Sequence, residues 1–224
     1  MKNNIGLVEH SKKALAEEWG YVYGTFGKIL TKDLLNSKLK QYPEQIERYK
    51  NYILESYIGK RTVDCVGLIK SFLWWHGADV VYDSSTDVSA DGMFEAAGEK
   101  GSISAIPELP GVCVWKTGHV GIYVGNNQVI DARGTLDGVI ISPLKGSINW
   151  THWFKCPYIQ YIESIPDRTW QEIIEMSTDH PDEWKKAIEL IMNIANLEGT
   201  GQLQIFKYLP ELINKVYNNA VDHN

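Results

Sequence analysis

A cysteine placed where a helix begins, with a histidine entering a strand 54 residues later, constrains this chain more than any other feature. The first segment is Asp64-Cys65-Val66-Gly67-Leu68-Ile69 and the second is Gly118-His119-Val120-Gly121-Ile122-Tyr123-Val124. From Cys65 onward the apolar positions Leu68, Ile69, Phe72, Leu73 and Trp75 follow a helical stripe, with Lys70 and Ser71 off it. Asp64 is a good N-cap residue, so the spacing predicts a helix whose first turn holds Cys65. Unpaired N–H groups and the positive end of the helix dipole then favour a thiolate and offer donors to an oxyanion. The opposing expectation is an inert cysteine buried beneath a core helix, a common fate for free cysteine.

The second segment weighs against inertness. Val120, Ile122 and Val124 alternate with His119, Gly121 and Tyr123, the period of a strand. Gln128 to Arg133 reads as its hairpin partner across Gly125-Asn126-Asn127. A three-residue loop sets Gly121 opposite Asp131 and makes His119 a diagonal neighbour of that acid on the same face. A two-residue loop would invert Asp131 to the other face, since a slip of one residue flips every side chain.

These residues resemble the NlpC-type family of cell-wall cysteine peptidases. The likeness rests on Asp64-Cys65-x-Gly67-Leu68, on the His119 to Asn126 strand and turn, and on Ile130-Asp131-Ala132. Upstream, Tyr21-Val22-Tyr23-Gly24 is similar to the aromatic-glycine segment preceding the family's cysteine. The resemblance spans about residues 10 to 162 and implies an α+β, papain-like domain, its nucleophile helix packed on an antiparallel sheet. It implies Cys65 as nucleophile, His119 as general base and then acid, and Asp131 as the group orienting the imidazole. It also implies Tyr21 and Asp64 as substrate-binding positions. The implied substrate is a peptidoglycan stem peptide, cut after γ-D-glutamate through a thioester acyl-enzyme, with no cofactor. The same triad would serve an N-acetylmuramoyl-L-alanine amidase or another γ-glutamyl amide hydrolase. From a different class, a non-catalytic wall-binding module would use the groove only to hold peptide.

The chain departs from the family pattern at three places. Val66 stands where serine is usual, and Asp131 where histidine is more frequent. About 40 residues separate Gly24 from Asp64, with helices read at Thr31 to Lys40 and Glu44 to Ile58 around Pro43. This helical insertion, about 28–60, resembles one in a phage-associated, clostridial-like branch and stands to narrow the groove.

Trp115 and Arg133 are further candidates for substrate contact, Arg133 through a stem-peptide carboxylate; core packing is the competing role for both. His152, between two tryptophans, is a rival base. Cys113 and Cys156 lie on apolar runs and read as core, and the three cysteines form neither a disulfide framework nor a zinc pattern. No metal is expected.

Composition narrows the partners. A net charge of −6 without a basic run argues against nucleic-acid binding. No apolar stretch approaches the ~18 residues of a membrane span. Met1 to Glu18 is polar and lacks the apolar core of a signal peptide. The expectation is therefore a protein made in the cytoplasm that reaches the wall by another route, phage lysis being the simplest. The catalytic pattern occupies 1–162. A helical accessory region follows at 165–224, with a stripe at Trp184, Ile188, Ile191 and Ala195 and a break at Pro210. Oligomeric state is not legible.

Overall fold

The structure, a computed structural model, describes residues 2–162. The helical region read at 165–224 lies outside the described residues. In chain order the elements are α1 (Asn4–Ala16), β1 (Gly20–Tyr21), β2 (Phe26–Ile29), α2 (Lys32–Gln41), α3 (Pro43–Ile46), α4 (Lys50–Ser56), β3 (Arg61–Val63) and α5 (Cys65–Leu73). There follow β4 (Trp75–His76), β5 (Asp79–Val80), α6 (Ala90–Ala96), β6 (Lys100–Ser102), β7 (Cys113–Lys116), β8 (His119–Gly125), β9 (Gln128–Gly134), β10 (Gly138–Pro143) and β11 (His152–Phe154). Six of the strands form an antiparallel sheet in the order β10-β9-β8-β7-β11-β6. β11 is thus an interior strand, between β7 and β6.

Helix α5 packs on this sheet as the α+β, papain-like expectation requires. Leu68 and Ile69 meet Val120, Ile122, Ile130 and Ala132 in one buried cluster, completed by Leu7, Val8 and Ala14 of α1. The polar composition of 1–18 concealed α1: it buries His10 and Ser11 as well as its apolar residues. His10 Nε2 meets Ser71 Oγ of α5 at 2.7 Å, and burial drives this imidazole down to about 3, so it sits neutral in the core. α5 ends at Leu73, so Trp75 belongs to the small β4–β5 hairpin rather than to the helical stripe.

The insertion is more broken than its periodicity suggested. Thr31 caps α2, accepting from the Leu34 N–H, and Pro43 starts α3 where its missing N–H costs nothing. A 3-10 turn at Glu47–Tyr49 then separates α3 from α4. Leu35, Ile46 and Ile53 close over Val22, Leu30 and Tyr57 as a second buried cluster. The Tyr57 hydroxyl donates to the Thr135 carbonyl at 2.7 Å, fastening the insertion to the end of β9.

Candidate active site

Cys65 occupies the first turn of α5. Asp64 caps that turn, its Oδ1 accepting from the Gly67 N–H at 2.6 Å while Oδ2 accepts from the Gly24 N–H at 2.9 Å. One carboxylate therefore ties the cysteine helix to the Tyr21–Gly24 segment, and Gly24 bends there with a φ of +78°. Both oxygens are engaged by backbone, and burial pushes this carboxyl above its ordinary value.

The thiol lies 3.9 Å from the carbonyl of Gly118, the residue before His119. Burial, then the Asp64 carboxylate, push the Cys65 thiol up to about 12. The N–H groups of Val120, Val66 and Cys65 pull the other way and are outweighed. This differs from the thiolate expected at a helix start, because the sulfur is buried and the carboxylate that caps the helix adds to the effect of burial. Iodoacetamide labelling of Cys65 is accordingly expected to rise about tenfold per pH unit from pH 7 to 9, following the thiolate fraction. A plateau below pH 8 would show a preformed thiolate instead.

His119 and Asp131 come together as the strand pattern implied, by a route the loop count did not foresee. The β8–β9 turn is the two-residue Asn126-Asn127, both left-handed at φ +53° and +56°. An irregularity between Tyr123 and Gly125 adds a residue on β8 and restores the register. Ile122 thus faces Ile130, which carries Gly121 opposite Asp131. His119 Nε2 lies 2.9 Å from Asp131 Oδ2. Asp131 is 0% exposed, and Arg133 grips it from the side through Nε to Oδ2 and Nη2 to Oδ1, each at 2.8 Å. Burial alone would raise this carboxyl; the hydrogen bonds from Arg133 and His119 outweigh it and hold the group below its ordinary value. An ionised Asp131 accepts, so Nε2 carries a proton, and in the neutral imidazole the lone pair is on Nδ1.

Arg133 is largely occupied by this geometry. Two further donors go to Ser142 Oγ at 2.8 Å and Ser147 Oγ at 2.9 Å, so four of its five N–H groups are taken, two of them by the acid. Trp115 is likewise committed: it stacks on Phe94 at 4.1 Å between centroids, and its indole N–H donates to Asp91 Oδ1 at 2.9 Å. His152 sits beside Phe94 and Trp115, with Thr151 Oγ1 as its hydrogen-bond partner and no acid in contact among the described residues. Cys113 and Cys156 are buried free thiols. Val66 joins the core cluster, which accounts for an apolar residue at that position.

Two contributors escaped the sequence analysis. Trp150 stacks on the His119 ring at 5.3 Å and 11°, and Gly121 makes room for it, since a Cβ there would lie 3.1 Å from the indole. Asp91, in α6, accepts from the Gly118 N–H at 2.8 Å as well as from Trp115, fixing the turn that delivers His119.

A cleft of about 510 Å³ opens over the sulfur. Tyr21, Asp64, Cys65 and Gly118 line one part, and Lys38 and Tyr42 of the insertion line another. Tyr21 is half-buried, and burial, then Cys65 and Asp64, push its hydroxyl up, so it stays a neutral donor.

Comparison with known proteins agrees with the motifs. Residues 50–157 match the model of the NlpC/P60 family. Among solved structures, NlpC1 from Trichomonas vaginalis is 18% identical with a TM-score of 0.40, covering 68% of this chain and 44% of its own. The P60 domain of an antigen from M. avium subspecies paratuberculosis is 18% identical (TM-score 0.38), over 70% of this chain and 98% of that one. The peptidoglycan hydrolase RipB from Mycobacterium tuberculosis is 19% identical (TM-score 0.36), over 70% and 67%. Among curated proteins no sequence matches.

Proposed function

We propose, on the premise that residues 50–157 of this chain belong to the NlpC/P60 family, that the protein is a cysteine peptidase of the bacterial cell wall. Its substrate is a peptidoglycan stem peptide, cut on the carboxyl side of γ-D-glutamate. The observation that carries this reading is His119 held on the buried Asp131, itself gripped by Arg133, with the thiol at the head of α5 3.9 Å from the carbonyl of Gly118, the residue before that histidine.

The resting thiol is neutral, so the proton must leave as the sulfur attacks. With Nε2 held by Asp131, Nδ1 of His119 is the base that takes it. Sulfur adds to the scissile carbonyl, and the backbone N–H groups in the first turn of α5 receive the oxyanion. The imidazolium returns its proton to the departing amine, leaving a thioester on Cys65. Water, deprotonated by the same imidazole, then frees the acid and restores the thiol. Asp131 stabilises the imidazolium throughout without leaving its place.

Digestion of purified peptidoglycan and of free stem tetrapeptide by the wild type and by Cys65→Ala, read by mass spectrometry, tests the whole proposal. The expected products are cut after D-glutamate and absent with the variant. Whole stems freed from glycan would reassign the bond to an amidase with the same triad. No products from the wild type would leave a peptide-binding module.

A further inference from the structure

Five charged side chains line the cleft that Cys65 shares with the insertion: Lys38, Asp64, Lys70, Asp87 and Asp91. Four of them are engaged, Asp91 by the Trp115 and Gly118 N–H groups. Asp64 is taken up by the N–H groups of Gly67 and Gly24. Lys70 and Asp87 form an ion pair, and the Tyr82 hydroxyl donates to the other Asp87 oxygen. Lys38 differs. Its ammonium has three donors, and among the described residues it finds one hydrogen-bond acceptor, Gln41 Oε1 at 3.0 Å, and no carboxylate at ion-pair distance. It is half-buried on α2, over the face of Tyr42.

Burial lowers the Lys38 ammonium from its ordinary value; Asp64 and Asp87 offset this from across the cleft, and Lys70 adds to it. A partly desolvated cation with donors to spare is available to an incoming anion. Its partner must be supplied by whatever enters the cleft.

We propose that Lys38 is a carboxylate-binding subsite contributed by the insertion, and that it takes the free α-carboxylate of a γ-linked glutamyl residue. This rests on the hydrolase reading above. In a γ-linkage the scissile carbonyl sits on the side chain, and the α-carboxylate is left free three carbons away. Thiol and ammonium line the same cleft of about 510 Å³. A γ-glutamyl residue whose α-carboxylate is amidated presents a neutral group at that point, as does any residue without a second carboxylate. The insertion thereby selects for a free carboxylate at that distance and against amidated wall.

The test pairs two stem tripeptides that differ only in having an α-carboxylate or an α-carboxamide on the γ-linked glutamate. Cleavage is measured with the wild type, Lys38→Gln and Lys38→Arg. Binding is measured by calorimetry in the Cys65→Ala background, with and without Lys38→Gln. A charge-assisted hydrogen bond is worth about tenfold or more in affinity, so the wild type is expected to favour the carboxylate by at least that factor in kcat/KM. The preference collapses toward unity in Lys38→Gln and is largely recovered in Lys38→Arg. A preference that survives Lys38→Gln overturns the subsite and leaves the hydrolase standing. Carboxylate-selective binding that needs Lys38, without cleavage by the wild type, upholds the subsite and overturns the hydrolase. Neither binding nor cleavage overturns both.

Discussion

Asp131→Asn is expected to lower kcat by about three to four orders of magnitude, the size of effect seen when the acid of a triad loses its charge. The reason lies in what surrounds the carboxylate. Arg133 presents two N–H donors and His119 a third, and all three require an acceptor. An asparagine offers one oxygen and turns an NH2 group toward a donor, so the guanidinium or the imidazole is left facing hydrogen. Either way His119 loses its orientation, its tautomer or the charge that steadies the imidazolium. The same change is expected to cost about 3 kcal/mol of stability, as for breaking one side of a buried ion pair, because Asp131 is 0% exposed and the Arg133 side chain only 16%. Steady-state kinetics and urea denaturation measure the two effects separately. Activity within tenfold of wild type would remove Asp131 from the machinery. The pH dependence has a definite sign. Asp131 is held below its ordinary carboxyl value, so its contribution is whole at neutral pH and is lost as pH falls through that depressed value. Asp131→Asn should flatten the acid limb of the stability profile.

How much of this was legible in the sequence depends on range. Cys65 and His119 announced themselves because each stands at an element boundary whose period is local: helical after Asp64, alternating after Gly118. Asp131 required the register of a hairpin. Gly121 does face Asp131, but through a two-residue turn and a bulge together, and either alone would have put the acid on the wrong face. Arg133 shows the limit of strand parity. Lying two residues from Asp131 puts it on the acid's face, but the grip on Asp131 also draws on Ser142 and Ser147, on and just beyond the neighbouring strand, which take two more of its donors. Asp91 and Trp150 act only through tertiary contacts. α6 was overlooked because Gly92 stands in its first turn and its whole length is 7 residues, so only the Ser89 cap marks it. The insertion was visible as two helices, but not that Lys38 and Tyr42 would wall the cleft, because no local pattern says where a loop-bounded helix docks.

Gly67→Ala is the second change with a large expected effect, and it explains a glycine that the helix itself does not need. In an isolated helix alanine is the better residue by about 1 kcal/mol. Here an added Cβ would stand 2.0 Å from the carbonyl oxygen of Thr25, far inside van der Waals contact. That oxygen cannot rotate away: it accepts the N–H of Asp64 at 3.0 Å, and Thr25 is itself buried beside the Tyr21–Gly24 segment. Overpacking against fixed backbone costs about 1–3 kcal/mol or more, so alanine's gain in propensity is outweighed and the head of α5 must shift. Cys65 rides on that turn, and a displacement of about 1 Å at a reacting atom is worth roughly a hundredfold in rate. The variant should therefore lose about 2 kcal/mol of stability and at least a hundredfold in kcat while still binding peptide. Gly92→Ala in α6 is the control: its Cβ would meet nothing nearer than the Ser89 hydroxyl at 3.3 Å, so helix propensity should prevail and stability hold or rise. Equal stability for the two variants in urea denaturation would mean that α5 can tilt without cost. The close approach of Gly67 to Thr25 would then play no part in placing the nucleophile.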